Sequence, residues 1–306
     1  MKIAHSLKDL PPKKKSVVTI GVFDGVHTGH QKIMQMVKES ARKLGARSVA
    51  VTFATNPVEV LHPEKSIPRI TTLEQKLNLI AAQGIDLAVV LPVEEEVISM
   101  LPEEFVSTIL VKGLSTVKVI VGTNFAFGRG RAGTPQMLSA LGRKMGFETI
   151  AVEPVKVGEI PVSSTAIRSL ISAGQVETAS RFLGHPFVMC GRVIHGDKIG
   201  QTLGFPTANI DPAERIVVPD TGVYAVRTTV RGKEYTGVLN IGVRPTLGGR
   251  KTSIEVYIIA FSGNIYGEDI SIAFHNKLRR EVQFPNLEAL KAEIQRDVER
   301  AVRLLG

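Results

Sequence analysis

Val17-Val18-Thr19-Ile20 runs directly into Gly21-Val-Phe-Asp-Gly-Val-His-Thr-Gly-His30, and Ile33, Val37, Ala41 and Leu44 then recur at helical spacing. The β-branched run suits a buried strand, and Gly45 is placed to end the helix. The decapeptide is therefore a strand-to-helix connection. Its glycines permit close backbone approach. A helix N-terminus offers unpaired N–H groups and a partial positive charge, which favour a phosphate, and His27 and His30 add side-chain donors there. A lone loop histidine reads first as the partner of a loop carbonyl. Two of the chain's seven histidines in one Gly-rich turn favour phosphate chemistry.

Outward from this turn, short β-branched runs alternate with helical periods as far as residue 152. Strands are expected at Ser48–Phe53, Leu87–Leu91, Val117–Val121 and Glu148–Val152, with helices near Leu73–Ala82, after Pro102 and after Thr134. That rhythm predicts a parallel sheet with helices on both faces, and such sheets bind ligands beyond the carboxyl ends of their strands. From Phe187 the rhythm changes to short strands separated by turn residues: Val188–Val193, Thr221–Val230, Glu234–Ile241, Thr252–Phe261 and Ile270–Phe274. A small antiparallel barrel is expected there, closed by a terminal helix with its apolar stripe at Leu287, Leu290, Ile294 and Val298. The division falls at 1–185 and 186–306, with the helices between Ser164 and Leu183 as the connection.

Three further stretches carry chemistry. Asn124 and the loop Phe127–Gly133 follow a strand, and Gly128, Gly130 and Gly133 match G-x-G-x-x-G. The glycines of a dinucleotide fingerprint form the turn directly after the first strand; here Thr123–Phe127 intervene, so the loop reads as a basic segment near polyphosphate. In Ser163-Ser164-Thr165-Ala-Ile-Arg168 the hydroxyls read as a helix N-cap, and Arg168, one turn in, could meet a phosphate as a bidentate fork. In Gly200-Gln-Thr-Leu-Gly-Phe-Pro-Thr207-Ala-Asn209, Thr207 and Asn209 lie two apart on an extended segment and share a face. They could supply a few oxygens to a hard cation such as Mg²⁺ that keeps most of its positions for phosphate and water, and Gly196, Gly200 and Gly204 suit a loop over phosphates. A β-bend with an asparagine remains the alternative.

The decapeptide resembles the nucleotidylyltransferase signature, and in full that of the bacterial bifunctional riboflavin kinase/FAD synthetases. Ser163-Ser-Thr-x-Ile-Arg168 is similar to the second half of that family's ATP site. Gly200–Asn209, Gly237–Thr246, Glu255-Val-Tyr and Leu278–Phe284 resemble its kinase module. The resemblance implies a Rossmann-like adenylyltransferase domain followed by a riboflavin kinase barrel. ATP phosphorylates riboflavin to FMN in the second, and ATP adenylylates FMN to FAD and pyrophosphate in the first. It implies ATP contacts at Gly21, Phe23, Asp24, Gly29, Ser163, Ser164, Thr165 and Gly200, and flavin contacts at Asn124, Arg279 and Phe284. A ribityl hydroxyl needs a general base, the role implied for Glu255; an FMN phosphate oxygen is already anionic, so that site needs charge stabilisation, from His27, His30 and Arg168. The chain departs from the family pattern at Thr55, Asn56, Tyr257 and Ala260, and no role is assigned at 55–56.

Net charge is +9, from 38 basic and 29 acidic residues, spread over both halves; small anionic substrates account for it as well as nucleic acid does. Aromatic content of 5% leaves few stacking platforms for single strands, so no nucleic-acid partner is expected. The competing readings are a noncatalytic nucleotide- or RNA-binding protein and a nicotinamide oxidoreductase built on Gly128–Gly133. A single cysteine, Cys190, excludes an internal disulfide and reads as a core thiol in a reducing compartment. No apolar run approaches membrane-spanning length, so a cytoplasmic protein without a membrane partner is expected. Oligomeric state is not encoded in any of these signals.

Overall fold

In the computed structural model every residue of the strand Ser16–Ile20 is buried, as a central strand covered on both faces requires. The structure describes residues 1–61, 64, 67–93, 95–196, 200, 203–213, 215–246 and 249–306. By packing, the chain forms two units, Met1–Ile67 with Leu73–Ser163, and Pro68–Thr72 with Ser164–Gly306.

The first unit runs β1 (Lys2–Ala4), β2 (Ser16–Ile20), α1 (Thr28–Lys43), β3 (Arg47–Phe53), α2 (Pro57–Leu61), α3 (Leu73–Ala82), β4 (Leu87–Leu91), α4 (Glu95–Ile98) and α5 (Pro102–Phe105). The last continues as a π-helical segment, Val106–Gly113, before β5 (Thr116–Gly122), α6 (Pro135–Met145) and β6 (Glu148–Val152). A two-stranded ribbon, β7 (Lys156–Val157) and β8 (Ile160–Pro161), ends it. The sheet order is β1-β4-β3-β2-β5-β6, and all five pairings are parallel. Alternate residues of the central strands feed two cores. Val18, Val49, Val89 and Val119 pack with Phe105, Leu110 and Leu138, and Val17, Ala50 and Ile120 pack with Met34 and Val37 of α1 and Ile80 of α3. The chain leaves β2 where the strand order reverses, the place at which open α/β sheets hold ligands. The decapeptide is that exit.

The second unit holds α7 (Ser164–Ser172) and α8 (Val176–Leu183), then β9 (Phe187–Ile194), β10 (Thr207–Pro212), β11 (Gly222–Val230), β12 (Lys233–Thr246), β13 (Gly249–Ile258) and β14 (Asp269–Arg279), and the terminal helix Leu287–Leu305. The strands close into a barrel, β10-β13-β12-β11-β14-β9. The sixth strand is β10, the segment read from sequence only as extended, and β13 stops at Ile258 because Ala260 turns with φ 57°. Val298 and Leu305 of the terminal helix pack on Val223, Ala225 and Val238.

Two features depart from the expected layout. Residues 164–185, expected at the end of the first domain, cluster with the barrel; Phe182 and Leu183 are buried, and Glu177 accepts the Lys277 backbone N–H at 2.9 Å. Residues 68–72 also belong to the barrel unit. Arg69 N–H donates to the Arg215 carbonyl at 2.6 Å, Val217 N–H donates to the Arg69 carbonyl at 2.9 Å, and Ile70 is buried. Cys190, on β9, is half-buried rather than a core thiol, and it forms no disulfide. Among the described residues no helix is long and apolar enough to cross a membrane.

Two candidate active sites

In the first unit the β2–α1 turn has Phe23, Gly25 and Val26 at φ 52°, 80° and 39°. Left-handed backbone at two non-glycine residues, one of them β-branched, costs about 1–3 kcal/mol each. The turn places the Phe23 ring over Gly21, where a Cβ would lie 2.8 Å from the ring. Only glycine fits there. The same ring meets His30 edge-on, with centroids 5.1 Å apart. His27 is the N-cap of α1: its Nδ1 accepts the His30 N–H at 3.4 Å, which leaves its ring proton on Nε2. The two imidazoles stack at 3.5 Å and 18°, and a Cβ at Gly29 would press on the His27 ring at 3.2 Å.

Burial sets their charge. Desolvation takes His27 down to about 4, against smaller upward pulls from its own backbone hydrogen bond and from Asp24. Desolvation, and then the neighbouring His27, hold His30 well below the usual imidazole value. Among the described residues His30 Nδ1 is buried and has no hydrogen-bond partner. At neutral pH the pair is therefore uncharged, a stack of neutral donors beside the helix N-terminus that gains most from an incoming anion.

A cavity of about 270 Å³ adjoins Gly21 and Val22 of the turn. Phe53, Pro57, Val58, Val97, Ile98, Phe105, Phe125 and Phe127 form its apolar walls, and Asn56, Asn124 and Arg131 add polar groups. Asn124, expected from sequence to touch a flavin, lines this cavity. Asn56, given no role from sequence, accepts the Val58 N–H at 3.1 Å and lines the same cavity. The Gly128–Gly133 loop is pinched by a Phe127–Gly133 bridge around a 3₁₀ turn at Arg129–Arg131. It is not the strand–turn–helix that a dinucleotide fingerprint requires.

In the second unit Glu255 of β13 is in register with Asn209 of β10 and Asn240 of β12, so the three side chains share a face. Thr207 Oγ1 donates to Glu255 Oε2 at 3.2 Å, leaving the hydroxyl lone pairs for another partner. A cavity of about 340 Å³ is walled by Leu203, Phe205, Val223, Val238, Tyr257, Val282, Phe284, Leu290 and Ile294, with Thr207, Asn240, Glu255, Arg279, Glu281 and Asp297 as its polar members. Thr207 also borders a second cavity of about 540 Å³, with Pro206, Val256, Phe261, Asn264 and Tyr266. Gly196 and Gly200 enclose the Thr207–Asn209 segment: a Cβ at Gly196 would collide with the Asn209 amide, and one at Gly200 with the Phe205 carbonyl, 3.1 Å from Thr207 Oγ1. Within this loop residues 197–199 and 201–202 lie outside the described residues.

Arg279 and Phe284, expected to touch a flavin, both line the 340 Å³ cavity. The guanidinium is held from behind: Asp297, 1% exposed, accepts from Nε at 3.0 Å and pairs with Nη2 at 2.9 Å. Burial pushes Asp297 up, and its bonds to Arg279 pull against that. Sequence reasoning missed Asp297, because one carboxylate on an amphipathic helix looks like a solvated face. Tyr257, a departure from the family pattern, packs edge-on against Phe205 at 5.4 Å as cavity wall. Arg168 is half-buried near the start of α7; Ser164, Thr165 and Arg168 fall by packing in the second unit and Ser163 in the first.

The FAD synthetase family model matches residues 10–166, and the riboflavin kinase family model matches residues 183–305. The chain is similar to the bifunctional riboflavin kinase/FMN adenylyltransferase of Pseudomonas fluorescens, at 40% identity over 300 residues, 97% of this chain and 96% of the relative. The proteins of the same description from Escherichia coli (strain K12) and Bacillus subtilis (strain 168) are each 37% identical, over 97% and 98% of this chain and 96% and 95% of the relative. A crystal structure described as a macrolide-efflux protein from Streptococcus pneumoniae superposes with a TM-score of 0.88 at 29% identity, covering 97% of each chain.

Proposed function

The chain belongs to the bifunctional riboflavin kinase/FMN adenylyltransferases, and on that premise we propose that ATP phosphorylates riboflavin in its barrel and adenylylates FMN in its parallel-sheet unit. One observation carries the reading. Each unit has an apolar cavity of its own, ending on residues suited to its own chemistry: Glu255 in the barrel, and the turn that carries the stacked imidazoles in the sheet.

In the barrel the isoalloxazine ring occupies the 340 Å³ cavity, and the ribityl chain points to Glu255, which takes the proton of the attacking hydroxyl. ATP occupies the 540 Å³ cavity, and Thr207, common to both, marks where the γ-phosphoryl meets the hydroxyl. Mg²⁺ fits here: Thr207, its proton turned to Glu255, and Asn209 present neutral oxygens inside a glycine cradle. When bound, Mg²⁺ neutralises phosphate charge. Gly200 lets the loop backbone close on Thr207, and Arg279 and Phe284 frame the flavin.

In the sheet unit FMN occupies the 270 Å³ cavity, with Asn124 at its polar edge. The FMN phosphate attacks the α-phosphorus of ATP and pyrophosphate leaves. His27 Nε2–H, His30 and the α1 N-terminus stabilise the oxygens that gain charge, with Gly21, Phe23, Asp24 and Gly29 shaping the turn. The family motif assigns Ser163, Ser164, Thr165 and Arg168 to the polyphosphate in the same reaction. Ser164, Thr165 and Arg168 fall by packing with the barrel but belong by motif to adenylyl transfer, so the functional boundary lies beyond Arg168. Incubation with riboflavin, ATP and Mg²⁺, followed by chromatography, should yield FMN and then FAD. Absence of both products refutes the reading.

A further inference from the structure

The turn that carries His27 is left-handed at Phe23, Gly25 and Val26, and Val26 N–H donates across it to the Phe23 carbonyl at 3.1 Å. Two side chains from outside grip its ends. Thr52, on β3 and fully buried, donates its hydroxyl to the Val22 carbonyl at 3.1 Å. Gln31, in the first turn of α1, donates its amide to the Val26 carbonyl at 2.8 Å. One carbonyl lies just before the left-handed segment and the other at its end, immediately before His27. Strained backbone persists only where its surroundings over-determine it, and these two donors contribute to that constraint.

We propose that Thr52 and Gln31 are positioning residues of adenylyl transfer, which hold the Val22 and Val26 carbonyls and so fix where the His27–His30 stack presents its ring nitrogens. The inference rests on the reading that these histidines stabilise the transferring phosphates. Neither side chain needs to touch substrate. If Val22 is released, Phe23 can leave the left-handed region, and its ring then leaves both the Gly21 backbone and the His30 edge. The stack loses its outer wall, and a displacement on the order of 1 Å costs roughly 10²-fold in rate.

The test uses full-length protein with two assays, FMN to FAD and riboflavin to FMN; the second is a control on the other unit, while an unchanged KM for ATP in the first shows that the sheet unit is folded. Thr52→Val keeps shape and removes the donor. It should lower kcat for FAD formation by about 10- to 100-fold while leaving KM for ATP within about threefold and FMN formation unchanged. Thr52→Ser, which retains the hydroxyl, should recover most of that kcat. Gln31→Leu, at a half-exposed position, should produce the same kcat loss by the other grip. Wild-type kcat in both Thr52→Val and Gln31→Leu, beside a His30→Ala variant that makes no FAD, overturns the positioning role alone. A Thr52→Ser variant as slow as Thr52→Val also overturns it, since packing and not the hydrogen bond would then matter. Unchanged FAD formation in His30→Ala removes the reading beneath it, and the proposal with it.

Discussion

Acidification should weaken the first unit through His27. An unfolded histidine titrates near 6.5, whereas burial holds His27 at about 4 in the folded chain. Between those values the unfolded chain binds a proton that the folded chain does not, so stability falls as pH falls. The contribution is absent above about pH 7, reaches about 2 kcal/mol at pH 5 and about 3 kcal/mol at pH 4, from 1.36 kcal/mol per pH unit. That is a large share of a typical domain stability of about 5–15 kcal/mol. The assay is urea unfolding of wild type and His27→Gln at pH 7.5 and pH 5, following the sheet unit by hydrogen exchange. Loss of the helix cap offsets the variant equally at both pH values and cancels in the comparison. Wild type should lose about 2 kcal/mol more than the variant on going to pH 5. The His27 Cε1–H resonance should titrate near 4. An equal pH dependence in the two proteins, or a midpoint near 6.5, would refute the reasoning.

Gly200→Ala places a methyl against the Phe205 carbonyl and beside Thr207; it should raise KM for Mg-ATP in FMN formation, with FMN-to-FAD conversion unaffected. An unaltered KM would show that the loop adapts. Asp297→Ala leaves the Arg279 guanidinium without its buried partner, a change that typically costs about 3–5 kcal/mol; the barrel's melting temperature should fall and KM for riboflavin rise. A fragment 184–306 loses α7 and α8, with the buried Phe182 and Leu183, worth roughly 1.5–3 kcal/mol apiece. It should melt well below a fragment 164–306, and equal melting temperatures would return the boundary to residue 185.

The alternating rhythm of the first half was readable because each run of β-branched residues is buried on both faces, as in Ser16–Ile20 and Leu87–Leu91. Lys2–Ala4 escaped notice because three residues with one buried position carry no period. In the barrel, Thr207–Pro212 contains Asn, Asp and Pro, poor strand formers; its pairing with β9 and β13 comes from barrel closure, a non-local constraint. The same limit explains the connector. Helices 164–183 have amphipathic faces that say they pack, not what they pack on, and nothing local in Pro68–Thr72 tells that it bridges to Ile216.

The sites divide along the same line. His27 and His30 could be named because a Gly-rich strand–helix turn is local; that they stack, and that burial keeps them neutral, depends on Phe23 and the sheet beneath. Glu255 and Thr207, 48 residues apart, meet only through the β10–β13 register. Asn56 and Asp297 became visible only as cavity walls.

The two reactions are proposed to rest on separate residues, His27 and His30 for adenylyl transfer and Glu255 for phosphorylation. The most direct measurement supplies His30→Ala and Glu255→Gln with riboflavin and, separately, with FMN, each with ATP and Mg²⁺. His30→Ala should accumulate FMN and lose FAD formation by roughly 10²–10³-fold. Glu255→Gln should lose FMN formation by roughly 10²–10⁴-fold and still convert supplied FMN to FAD. If either variant loses both reactions, or keeps both, the two chemistries do not rest on these separate residues.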